Sequence, residues 1–123
     1  MKEQINNLVE DIHSKNIDMG WWNCPTTGES LLNNPYVIGT KLMLVVTEIA
    51  EATEGYRKNL MDDKLHHRAM VEVELADALI RILDLAGALR CDLGGAIEEK
   101  RTFNAVRPDH KKENRVKENG KKF

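Results

Sequence analysis

Aromatic residues make up only 5% of this 123-residue chain, prolines number three, and Val/Ile/Thr runs bounded by turn residues are scarce. That shortage argues against a β-sandwich or barrel and leaves helices as the default. Cysteine is almost missing as well. Cys24 and Cys91 stand far apart with no second Cys at metal-site spacing, so both read as reduced thiols in a reducing compartment. No apolar stretch runs for about 18 residues without a charge, so no membrane span is expected. The opening Met1-Lys2-Glu3-Gln4 does not read as a signal peptide, and the expected location is the cytoplasm.

What the chain does have is 41% hydrophobic and 31% charged residues, the balance of a folded protein. Its length suits one domain with one core. We expect a single domain over 1–107 and a basic tail over 108–123. From Arg107 onward the bases are Arg107, Lys111, Lys112, Arg115, Lys117, Lys121 and Lys122, against Asp109, Glu113 and Glu118. An acidic body thus carries a basic end, read either as a solvated terminus or as an arm that reaches an anion. Nucleic acid is not the expected partner, because the acidic body repels phosphate and no aromatics interleave with these bases until Phe123.

Helical periodicity organises the rest. Ile5, Leu8, Val9 and Ile12 predict an amphipathic helix over 3–15. Pro25, Gly28 and Ser30 mark a loop that contains Trp21 and Trp22. Asn34 as cap and Pro35 as first helical residue open a second helix over 35–58. A polar connection leads to a third over 66–90. Asp92 caps a fourth over 93–106, which Pro108 ends.

The second and third helices are apolar around most of their circumference, so both are expected to be buried on several sides. Their charges are gathered on narrow arcs. At about 100° per residue, Lys41 lies roughly 20° to one side of Glu48 and Glu51 roughly 60° to the other. Between Val73 and Leu89 the only charged residues, Glu74, Asp77, Arg81 and Asp84, fall within about 80° on the same wheel. Either these stripes face water, or the acids need a cation, because unpaired carboxylates in an apolar interior cost several kcal/mol each. Lys41 and Arg81 are too few to neutralise five acids. A hard divalent ion would do so, Mg²⁺ with Mn²⁺ as a possible substitute. No His stands in Glu48-x-x-Glu51 or Glu74-x-x-Asp77, which disfavours di-iron chemistry, and adjacent His66 and His67 cannot share a zinc. Because Mg²⁺ completes its shell with water and phosphate oxygens, a phosphate-bearing substrate is expected. Lys100, Asn104 and Arg107, at i, i+4 and i+7, form a stripe suited to polyphosphate.

With Glu48-Ile49-Ala50-Glu51, Glu74-Leu75-Ala76-Asp77 and the downstream Lys100-x-x-x-Asn104-x-x-Arg107-Pro108, the chain resembles the MazG-like all-α nucleoside triphosphate pyrophosphohydrolases, small phage or bacterial type. The resemblance covers roughly Trp21 to Arg107, and the closing Gly120-Lys121-Lys122-Phe123 is similar to the tail of the small members. It implies an all-α, four-helix MazG-like bundle completed by homo-oligomerisation, as a dimer or dimer of dimers. It further implies Mg²⁺ held by Glu48, Glu51, Glu74 and Asp77, and hydrolysis of a nucleoside triphosphate to monophosphate and pyrophosphate. Substrate contacts would come from Lys100 and Asn104, with Arg107, Lys41 and Arg81 as further candidates and Trp21 or Trp22 against the base. Two other readings stay open: a non-catalytic helical assembly module, and a phosphoribosyl-ATP pyrophosphatase.

Overall fold

Helix boundaries follow the capping chemistry in the computed structural model, which describes residues 1–123. The elements are α1 (Lys2–Asp18), α2 (Pro35–Lys58), α3 (Met70–Ala88), α4 (Leu93–Val106), a 3₁₀ turn (Pro108–His110) and the single-turn α5 (Lys112–Arg115). There is no strand; two isolated bridges, Asn23 with Ser30 and Met61 with Ala69, are the only β pairing. The fold is therefore all-α. No helix is long and apolar enough to cross a membrane.

α2 starts where predicted because the Asn34 side chain accepts hydrogen bonds from Tyr36 N and Val37 N while Pro35 supplies the first helical φ. Asn59 ends it in the left-handed region at φ 53°. α1 runs three residues past its expected end. It stops at Gly20, whose φ of 86° lets Gly20 N and Trp21 N turn back onto Ile17 O and Asn16 O.

The third helix corrects the expectation of a start at residue 66. The Asp62 carboxylate accepts from Lys64 N at 3.0 Å and Leu65 N at 2.7 Å, bending the chain into a turn. Asp62 N then bonds Arg68 O and Met70 N bonds Leu60 O, so the backbone groups a helix would need are spent on a closed loop. Arg68 and Ala69, good helix formers, lose to that arrangement.

Contacts divide the chain into two units, Asn7–Cys91 and Met1–Asn6 with Asp92–Phe123. In the first, α2 and α3 pack along each other, and Val9, Trp22, Ala52, Ala78, Leu83, Leu85 and Ala86 form the core. Gly87 permits a close approach: a Cβ there would lie 2.5 Å from that of His13. In the second unit Asp92 caps α4 through Gly95 N and also receives Asn6 and Lys2, which hold its carboxyl down at about 2. The basic tail belongs to this unit, where Arg107 and Lys121 both pair with Asp109.

The apolar circumference of α2 and α3 is not covered within the chain. On α2 only Glu48, Ala52 and Gly55 are buried, while Leu42, Met43, Val46 and Ile49 are exposed, as are Leu75, Leu79 and Ile80 on α3. Burial on several sides, expected from the sequence, is thus not achieved by one copy of the chain.

Candidate metal centre

Where α2 and α3 lie against each other, their acidic arcs meet. Glu48 from α2 and Glu74 and Asp77 from α3 each bring a carboxylate oxygen to within 4.8 Å of the others. The i, i+3 spacing on α3 puts Glu74 and Asp77 on one face. Glu48 and Glu74 are buried, at 7% and 9% exposure, and Asp77 is half-buried. Glu51, one turn beyond Glu48, is itself exposed but lines the same cavity of about 450 Å³, together with Asp62, Asp63, Lys64 and Leu65.

The cluster is short of positive charge. Arg81 Nε donates to Glu48 Oε1 at 2.6 Å. Burial works to raise the Glu48 carboxyl, but the hydrogen bond and charge of Arg81 outweigh it and leave the group below its ordinary value. Glu74 has no basic partner. Burial, and then the neighbouring Glu51 and Glu48 carboxylates, push it up to about 7. Asp77 is raised by burial and by Glu48. Three hard oxygen donors, no sulfur or imidazole among them, and one acid held partly protonated for want of a counter-charge make a donor set that fits Mg²⁺ or Mn²⁺.

Asp84, two turns further along α3, is provided for differently. Trp22 Nε1 donates to its Oδ1 at 2.9 Å, and His13 Nδ1 lies 2.7 Å from the same oxygen. His13 and Trp22 also meet edge to face, their ring centroids 5.6 Å apart. Both tryptophans were candidates for contact with a base, and the structure separates them. Trp22 is 1% exposed and fixed by these contacts, whereas Trp21 is 63% exposed.

A second cavity, of about 290 Å³, adjoins the carboxylates. Asn16, Trp21, Lys41, Ile80, Arg81 and Asp84 line it, and it shares Glu48 and Asp77 with the first. Lys41 Nζ bonds Trp21 O at 3.3 Å and sits 4.4 Å from the Trp22 ring centroid. The carboxylates therefore line two cavities, one with Glu51, Asp62, Asp63 and Lys64 and the other with Lys41 and Arg81.

Lys100, Asn104 and Arg107 belong to the other unit. Lys100 Nζ lies 5.0 Å from the Phe103 ring centroid. The Arg107 guanidinium is committed to Asp109 through two hydrogen bonds, at 3.0 and 2.8 Å. Asn104 Oδ1 is buried with no hydrogen-bond partner, a donor-seeking group inside this unit.

Sequence reasoning missed His13, Asn16 and Asp62. His13 carried a signal, since it stands four residues after the buried Val9 and so on the inward face of α1. Asn16 and Asp62 carried none. Comparison with family models, with curated proteins and with solved structures returns no match for this chain.

Proposed function

We propose that the chain is a Mg²⁺-dependent nucleoside triphosphate pyrophosphohydrolase of the MazG-like kind, acting in the cytoplasm. The observation that carries this reading is the convergence of Glu48, Glu74 and Asp77 oxygens within 4.8 Å, with Glu74 lacking any base, beside a cavity lined by Lys41 and Arg81. Glu48, Glu74 and Asp77 hold the metal, and Glu51 completes the set from the rim of the cavity. Mg²⁺, when bound, supplies neutralisation of phosphate charge and a water of lowered pKa.

The chain's own residues do the rest. Glu51, exposed and next to the buried acids, accepts the proton of the attacking water. Lys41 and Arg81 attract the triphosphate into the cavity they line. Trp21 offers an open ring to the base; stacking of this kind tolerates several bases. Lys100 and Asn104 take further phosphate oxygens, as the resemblance implies, and Arg107 serves there only if it leaves Asp109.

The exposed apolar residues of α2 and α3 support self-association. A second copy covers them and completes the four-helix bundle, as a dimer or dimer of dimers. Elution as a monomer at micromolar concentration counts against that assembly. For the activity, the purified protein is incubated with each dNTP and Mg²⁺. Monophosphate and pyrophosphate are the expected products, and orthophosphate or no turnover overturns the reading. The same exposed face also favours a second reading, a non-catalytic assembly module. A melting temperature unmoved by Mg²⁺, in the parent and in Glu48→Gln alike, selects it.

A further inference from the structure

Arg81 is the one base in contact with the cluster, and its geometry is that of a temporary partner. Its side chain is 40% exposed, whereas that of Glu48 is 10% exposed, so the guanidinium can swing outward while the carboxylate cannot. It hydrogen-bonds one acid of the three, through Nε alone, and makes no such bond to Glu74 or Asp77. Arg81 itself lines the cavity formed with Asn16, Trp21 and Lys41, whereas Glu74 lines the other one.

We propose that Arg81 is a resident counter-cation that a divalent ion displaces from Glu48, so that metal loading frees the guanidinium for the neighbouring cavity. The proposal rests on the metal-site reading above. One positive charge at one carboxylate compensates the cluster less well than two charges shared among three. An arriving divalent ion therefore takes the Glu48 oxygen and repels Arg81. The released guanidinium already lines the Lys41 cavity, and only once it has left Glu48 is it free to pair with an anionic ligand there. Until the ion arrives, Arg81 offsets the Glu48 charge, at the expense of metal affinity.

The test is calorimetric titration of Mn²⁺ or Mg²⁺ into the full-length parent, Arg81→Gln and Arg81→Lys, all without nucleotide. Removing the competitor is expected to tighten metal binding roughly tenfold in Arg81→Gln, the scale of one charge-assisted hydrogen bond, with Arg81→Lys in between. Equal or weaker binding in Arg81→Gln overturns the proposal while leaving the metal site standing. Binding by none of the three proteins overturns the metal-site reading, and this proposal with it. Should Arg81→Gln fail to fold, the parent decides alone. The Arg81 Nε–H resonance in ¹H–¹⁵N spectra is expected to shift as metal saturates, and a resonance that does not move at saturation sinks the displacement.

Discussion

Helix α3 carries two buried acids ten residues apart whose circumstances are opposite. Asp84 is met by Trp22 Nε1 and His13 Nδ1, both drawn from elements N-terminal to α2. Glu74 is also buried, and that burial, together with the neighbouring Glu51 and Glu48 carboxylates, pushes its carboxyl up to about 7. A fold that can supply two donors to one acid and supplies none to the other has treated them as different kinds of group. Asp84 ties α1 and the tryptophan loop to α3. Glu74 has no such donor.

Substitutions should separate these roles. Glu48→Gln is expected to show the largest effect, on turnover. Losing a ligand removes several kcal/mol of charge stabilisation, so initial rates with dNTP and Mg²⁺ should fall roughly a thousandfold. Urea melts in EDTA should show no matching loss of stability. Asp84→Ala should do the reverse, because the buried Trp22 N–H and the His13 ring lose their acceptor. Urea denaturation should register a loss of about 3 kcal/mol, and the protein that stays folded should still bind Mg²⁺.

The next contrast is with pH. The folded-state pKa of Glu74 lies above its ordinary 4.5, so its contribution to stability is fully present below pH 4.5 and is lost as pH rises through about 7. In EDTA, the melting temperature of the parent minus that of Glu74→Gln should therefore decline across that window. With saturating Mg²⁺ the difference should rise with pH instead, since metal binds the ionised carboxylate. A flat difference curve in both conditions would remove Glu74 from the cluster's chemistry. The smallest effects fall on the tryptophans. Trp22→Phe strips one donor from Asp84 and should cost about 1–2 kcal/mol in the same denaturation assay. Trp21→Ala should change stability by less than about 0.5 kcal/mol. In dNTP kinetics it should raise KM roughly tenfold, as expected where base stacking contributes about 1–3 kcal/mol.

What could be read in advance was uneven, for definite reasons. α2 spans 35–58 and α4 spans 93–106 as predicted, because Asn34-Pro35 and Asp92 act on amides within three residues of themselves. The start of α3 was misplaced by four residues, because Met70 N bonds Leu60 O across a turn that the Asp62 carboxylate closes through Lys64 N and Leu65 N. In the cluster, spacing alone placed Glu74 and Asp77 on one face and Glu48 on a matching arc. It also placed Asp84 in that company. The donors that remove Asp84 from it stand 62 and 71 residues away, at no spacing a helical wheel represents.

Periodicity and capping were therefore enough to establish an all-helical chain, the limits of two of its long helices and the presence of more acid than base on two apolar surfaces. They involve partners within a turn or so along the chain, where geometry follows from residue order. Which of those acids the protein meets with polar groups of its own, and which it leaves without one, depended on α1 and the tryptophan loop reaching one end of α3 and not the other. A buried charge is stabilised by whatever lies within a few ångströms of it, and that neighbourhood exists only once distant segments have packed.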